Sequence, residues 1–467
     1  MQNRSTPPWL IWLGQLMAVV GILSLIAALI VGIMTWLRSE ALSPPVNHRT
    51  QPSPPAQSHN SGQPSAQTTG AKVDRTFLPI KLALVDQYIL PQQDFNGVRV
   101  GGWSGLSYDA HEDLFYVISD DHSDLAPARF YTFKLNLLNS DQDTNGTIGN
   151  TKNTQPIRIK NIQINQVVTL HQGDGSTYAP QTIDPEAIAL SPKGKSAKGK
   201  SSKGTVYVSS EGISHDLIPP FINEYERDSG NLYSALPIPK RYIPAVDSAS
   251  KDPTAAPSHG PNVGVRDNLG FEAMTVVGDA PSDPYRIFAI TENPLAQDYQ
   301  DRSLISKVKN IADQTPSPSR FLHYLENNVL RVPPLLVAEH LYPVEAPPVG
   351  GVNGVVEMTA LDRGGRFLTL ERSFGALGFG AKIWQISTTA ATDTSRIASF
   401  KGDISNIRPI AKQLVLDLRT LGISLDNLEG MTFGPKLADG SRSLVLVSDD
   451  NFSDRQVTQV LLFKLTT

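Results

Sequence analysis

WSGLSYDAHEDLFYVISDD, Trp103 to Asp121, decides the fold. Two apolar runs flank a polar turn, the pattern of an antiparallel hairpin. The hairpin opens beside Ser104 and closes on a pair of acids. The arrangement returns as PEAIALSP…GTVYVSSEG (Pro185 to Gly212) and FEAMTVVGDAPSDPYRIFAITEN (Phe271 to Asn293). It returns again as VEMTALDRGGRFLTLERS (Val356 to Ser373) and LEGMTFGPKLADGSRSLVLVSDDN (Leu428 to Asn451). Repetition at intervals of roughly 70 to 90 residues implies a ring or stack of similar units.

Working outward, further strand-like runs follow the hairpins. RFYTFKLNL (Arg129 to Leu137) and IRIKNIQINQVVTL (Ile157 to Leu170) follow the first, FINEYER and LYSALPIP the second, AKIWQIS and TSRIASF the fourth. Four runs make one propeller blade. The last copy ends at its third strand, TQVLLFKLTT, and KLALVDQYIL (Lys81 to Leu90) supplies the missing fourth. The predicted fold is all-β: a β-propeller of five four-stranded blades, with six as the alternative count. Asp298 to Leu330 reads as partly helical, and Ala411 to Leu421 as a short amphipathic helix.

The 467 residues suffice for a large core, and a net charge of −4 gives no field that recruits nucleic acid. With no cysteine, thiolate catalysis and zinc–thiolate sites are excluded. Residues 1–38 read as an N-terminal membrane anchor. Trp9 to Leu37 is almost unbroken apolar sequence, longer than the ~20 residues a span needs, with tryptophans at its ends. Residues 39–74, rich in Pro, Ser and Gln, read as a disordered tether. Residues 75–467 form the propeller domain, expected on the extracytoplasmic side and as a monomer. KGKSAKGKSSKG (Lys193 to Gly204) reads as a solvated basic loop. The DxDxNG at Asp141 to Gly146 starts like a calcium loop, but its twelfth position is Lys152.

In an antiparallel hairpin the start of the first strand meets the end of the second. Glu186 is therefore expected beside Glu211, Glu272 beside Glu292, Glu357 beside Glu371, and Glu429 beside Asp449 or Asp450. Asp120 or Asp121 is expected beside Ser104. In a propeller these pairs ring one mouth of the central channel. Crowded carboxylates repel one another unless a cation neutralises them, and all-oxygen donors suit Ca²⁺ or Mg²⁺. The plainer alternative is that such acids cap turns and accept backbone N–H groups between blades.

SGLSYD, FYVISDD, PARFYTF, DPEAIAL, SSEG, GFEAM, LERSFG and LEGMTFGP…LVLVSDDNF with TQVLLF occur in this order. Together they identify a resemblance, from about Gly101 to Lys464, to the family described as "esterase-like activity of phytase". Ala187 and Ala273 stand where glycine is usual after the glutamate. The resemblance implies a propeller whose acids carry phosphoester hydrolysis on a phosphorylated small molecule or a phosphodiester. Glu186, Glu272, Glu292, Glu357, Glu429, Asp449 and Asp450 are the candidate metal ligands. Asp120, Asp121, His122, Arg129, Glu211, Glu371 and Arg372 are the candidate catalytic residues. Arg129 and Arg372 are expected to orient phosphate, and His122 or an unliganded acid to move the proton. Two further readings stand beside this one: a binding propeller with structural calcium, and a carboxylester or lactone hydrolase using the same metal.

Overall fold

The computed structural model describes residues 76–138, 157–192, 204–246, 261–278, 283–299, 316–327, 332–348 and 351–467. The expected anchor, tether, basic loop and DxDxNG loop lie outside them, apart from Gly204. Among the described residues no helix is long and apolar enough to cross a membrane.

Five antiparallel four-stranded sheets form the blades of a propeller. Strand β1 (Lys81–Ile89) comes first, then a small ribbon of β2 (Asp94–Phe95) and β3 (Val98–Arg99). Blade 1 holds β4 (Trp103–Asp109), β5 (Leu114–Ser119), β6 (Arg129–Leu138) and β7 (Arg158–Thr169). Blade 2 holds β8 (Pro185–Leu190), β9 (Thr205–Ser210), β10 (Phe221–Glu226) and β11 (Leu232–Ala235). Blade 3 holds β12 (Phe271–Val277), β13 (Tyr285–Thr291), β14 (Ser317–Glu326) and β15 (Leu335–Val344). Blade 4 holds β16 (Val352–Ala360), β17 (Arg366–Gly375), β18 (Gly378–Ser387) and β19 (Ala411–Asp417). Blade 5 holds β20 (Asn427–Lys436), β21 (Arg442–Asp449) and β22 (Gln459–Thr466), and β1 completes it. The expected closure is therefore present: Lys81 pairs with Thr466 and Ile89 with Gln459.

The second strands are buried along most of their length because both faces of each sheet are covered by neighbouring blades. Period two then divides each strand between two interfaces. Phe115 and Val117 pack towards Val445 and Val447 of blade 5. Tyr116 and Ile118, alternating with them, pack towards Val206 and Val208 of blade 2. Five such clusters, one per blade interface, replace a single central core.

Three expectations are corrected. Ala411–Asp417 is the outer strand of blade 4, followed by a 3₁₀ turn at Leu418–Leu421. Apolar residues at 414–416 on a half-exposed edge strand leave helix and strand periods hard to separate in so short a run. TSRIASF is not a strand, because the carbonyls of Ile397 and Ala398 accept from the Arg320 guanidinium instead of a neighbouring strand. Within Asp298 to Leu330 the described residues 317–326 form β14, and none is helical.

Candidate functional site: the acidic mouth

The five inner strands β4, β8, β12, β16 and β20 surround the axis, and each carries one β-bulge near its start. In blade 3, Phe271 pairs with Thr291 and Ala273 with Ile290, leaving Glu272 unpaired. In blade 5, Leu428 pairs with Ser448 and Gly430 with Val447, leaving Glu429 unpaired. Glu186 and Ser104 occupy the same place in blades 2 and 1. A bulge re-aims a side chain, and here the re-aimed chains are acids at the mouth of the channel. The residue just after each second strand's first pair joins them: Asp120, Glu211, Glu292 and Asp449.

Blade 4 departs from this register. Val355 pairs with Glu371 and Glu357 with Leu370, so the bulge falls on Val356. The ring positions of this blade are therefore Val356 and Arg372, one residue away from the expected Glu357 and Glu371. Arg372 is thus set among acids: its Nη2 lies 3.4 Å from both Glu292 and Glu429. Glu371 faces the blade interior, where it accepts from Tyr342 Oη at 2.9 Å and pairs with Lys412. In the four other blades that position carries Ser119, Ser210, Thr291 or Ser448.

Glu357 sits one residue past the bulge, where the other blades have Gly105, Ala187, Ala273 and Gly430. These small residues leave space on the axis, and the Glu357 side chain fills it. Its carboxylate accepts from the backbone N–H of Leu106 at 3.1 Å and of Met358 at 2.9 Å, and also from Met274 and Met431. Inner strands have no partner on the axial side, so one carboxylate satisfies N–H groups from four blades. Burial pushes this carboxyl up to about 8 while the N–H groups pull it down. Glu357 is a channel plug and stands apart from the acid ring.

The ring is tightly built. Ser104 Oγ donates to Glu186 Oε2 at 2.7 Å, the Gly270 N–H to Glu211 Oε1 at 2.6 Å, and Asn427 Nδ2 to Glu429 Oε1 at 2.8 Å. Ligand-capable atoms of Asp184, Glu186 and Glu211 lie within 4.8 Å of one another, as do those of Glu211, Glu272 and Glu292. Burial, and then the charges of neighbouring acids, hold Asp120, Glu186, Glu211, Glu272 and Asp449 well above the usual carboxylate range. Burial raises Glu292 to about 7 against the pull of Arg372. At the partly exposed edge, His122 Nε2 stands 2.6 Å from Asp184 Oδ1 and 3.8 Å from Asp120. Its bond to Asp184 raises the imidazole to about 9. Arg266 lies over the Tyr299 ring at 4.0 Å, and its charge acts on Glu292.

Three other expected site residues lie outside the ring. Asp121 caps the N–H groups of Asp124, Leu125 and Ala126 and pairs with Arg129 at 2.6 Å. Arg129 is buried and also donates to Tyr131 Oη at 2.7 Å, which ties it to this turn. Asp450 Oδ1 accepts from the N–H of Gly102 at 2.9 Å and of Phe452 at 3.1 Å. Two ring members escaped the sequence reading, Asp184 and Asn427. The signal for both was a place two residues before a ring glutamate, Asp184 before Glu186 and Asn427 before Glu429, a spacing that sets side chains on one face of a strand.

A cation fits this donor set. Among the described residues Glu211 Oε2, Glu272 Oε2 and Asn427 Oδ1 are buried acceptors with no donor. Buried acceptors of this kind require a partner, and oxygen donors alone match Ca²⁺ or Mg²⁺.

Fold and mouth together define a five-bladed β-propeller with a polyacidic channel mouth. The chain belongs to the phytase-like family described as "esterase-like activity of phytase", which matches residues 98–452. No match is found among curated proteins. Among solved structures, the chain is similar to fructofuranosidase from Schwanniomyces occidentalis in complex with fructose. Identity is 8% and TM-score 0.36, over 81% of this chain and 57% of that one. The chain thus spans little more than half the length of that enzyme. It is also similar to the catalytic domain of a GH62 α-L-arabinofuranosidase from Coprinopsis cinerea, at 10% identity and TM-score 0.35, over 82% and 96% of the two chains. The Pan2 WD40 domain of Neurospora crassa is similar at 10% identity and TM-score 0.26, over 82% and 95%. Likenesses at this identity concern fold alone.

Proposed function

We propose that this protein is a metal-dependent phosphoester hydrolase, held at the membrane by its N-terminal apolar run with the propeller outside the cytoplasm. The carrying observation is the donor-less buried oxygens of Glu211 and Glu272 inside a ring that also contains Arg372. Glu186, Glu211, Glu272 and Glu292 would hold Ca²⁺ or Mg²⁺, with Glu429 and Asp449 completing the negative field. When bound, such an ion polarises a phosphoryl oxygen and lowers the pKa of a bound water. Arg372 binds the phosphate: its guanidinium is fixed between two carboxylates, and its Nε has no partner among the described residues. His122, protonated beside Asp184 and partly exposed, donates a proton to the leaving oxygen. Family membership supports hydrolysis.

The second reading, a ligand- or protein-binding propeller with structural calcium, is favoured by one observation. Glu211 is fully buried and Glu272 only 3% exposed, which suits an ion enclosed by protein. Phosphate release from phytate, simple phosphomonoesters and diesters, with Ca²⁺ or with chelator, separates the two. Calcium-dependent turnover that drops about 100-fold or more in Glu211→Gln and Arg372→Met, both still folded, is expected. No turnover on any phosphoester, with Ca²⁺ still raising the melting temperature, would establish the binding propeller instead.

A further inference from the structure

The channel has a second mouth. At the far end of the inner strands lies a cavity of about 1090 Å³, lined by Thr275, Thr359 and Thr432 of blades 3, 4 and 5. Arg227, Lys436 and Arg442 line the same cavity. Arg227 is preorganised, with its side chain only 9% exposed. It donates to Asp109 at 2.7 Å and to Tyr116 Oη at 3.1 Å, and it lies 4.6 Å over the Tyr116 ring. Arg442 is held 3.7 Å over the Phe433 ring. Among the described residues no carboxylate comes within ion-pair distance of the Arg442 or Lys436 side chains at this cavity.

The two acids of the cavity are engaged. Asp109 takes Arg227 and the His111 N–H, and Asp113 accepts from Tyr108 Oη at 2.7 Å. Glu112 also lies 3.7 Å from Arg227, so the cations left without a carboxylate partner among the described residues are Lys436 and Arg442. Glu357 plugs the channel between this cavity and the acidic mouth.

We propose that this second mouth binds a phosphate-bearing ligand. Guanidinium and ammonium groups lining one cavity, with threonines beside them, match a phosphate oxyanion. The volume suits a ligand of sugar-phosphate or nucleotide size. The same chemistry would also take the headgroup of an anionic phospholipid. The chain enters the propeller on this face, where Arg366 Nε donates to the Thr76 carbonyl at 3.1 Å. The site stands independently of hydrolysis at the acidic mouth.

Calorimetric titration of the full-length protein in excess EDTA tests it, since chelator leaves the acidic mouth without a metal to recruit phosphate. The probes are inorganic pyrophosphate, glucose 6-phosphate and a short-chain, water-soluble phosphatidic acid. Saturable binding is expected, about tenfold or more weaker in the Lys436→Ala/Arg442→Ala double variant and unchanged in Glu211→Gln. Tighter binding of the phosphatidic acid than of the soluble phosphates would assign a lipid headgroup, and the reverse order a free phosphate ester. Absence of binding by all three probes, or equal affinity in the double variant with an unchanged melting temperature, would overturn the proposal.

Discussion

The chemistry of the mouth is a matter of unbalanced charge on individual residues. Asp120, Asp184, Glu186, Glu211, Glu272, Glu292, Glu429 and Asp449 face Arg372, Arg266 and His122. Without a cation, folding holds Glu292 up to about 7, and Glu186, Glu211 and Glu272 well above the ordinary 4.5. A pKa raised in the folded state means that the native protein binds more protons than the unfolded chain between the two values. That contribution to stability is complete below about pH 4.5 and is lost as pH rises through about 7 and beyond. In EDTA the melting temperature should therefore fall from about pH 5 to about pH 8. Added Ca²⁺ should remove most of the fall, because the ion takes over the protons' role. Glu211→Gln should make the EDTA profile shallower. An EDTA profile with no slope would mean that Arg372 and its basic neighbours already neutralise the ring.

At the scale of elements, a buried ion cluster holds the long connection between β18 and β19 against blade 3. Arg320 is fully buried on β14; its Nε and Nη2 reach Asp298 at 2.6 and 3.0 Å, and Nη1 pairs with Glu339. Its plane lies 4.0 Å from the Phe400 ring, and Asp298 also accepts the Phe400 N–H at 2.7 Å. Arg320→Met should destabilise the domain by about 3–5 kcal/mol, because two carboxylates would stay buried without their main cation. Urea denaturation measures this, and a loss under about 1 kcal/mol would mean that packing alone holds the segment. The cluster also shows where sequence reading ends. Second strands such as LFYVIS and TVYVSS were legible because doubly covered strands carry a continuous apolar run, Leu114 to Ile118 and Val206 to Val208 here. TSRIASF resembled a strand in composition, but its carbonyls belong to an arginine far away in the chain. The ring was legible as a list of acids but not in register: TLERS looks like SSEG with its glutamate in place. Only the pairing of Val355 with Glu371 shows that Arg372 occupies the ring, since one bulge residue exchanges which side chain faces the axis.

At the scale of the whole molecule, a propeller is a ring whose stability depends on its last joint. Four blades are each made from consecutive chain, and blade 5 alone borrows β1 from the other end of the domain. Leu82 and Leu84 of β1 pack into the cluster of blades 4 and 5 beside Leu461 and Phe463, while Val85 packs into the cluster shared with blade 1. The joint thus seals two interfaces as well as completing a sheet. Leu84→Ala should cost about 1–3 kcal/mol, a value reduced by its partial exposure. Removing residues 76–89 should do far more. It would leave β22 as an exposed edge with unpaired backbone groups, a template for association with other chains. The expected result is loss of a single cooperative melting transition, with concentration-dependent aggregation by light scattering. Calcium should no longer protect this variant, because the acids of the ring come from blades 1, 2, 3 and 5, with Arg372 from blade 4, and an opened ring no longer fixes their spacing. A truncated protein that stayed monomeric, melted in one step and kept its calcium response would show that the blade interfaces alone hold the circle closed.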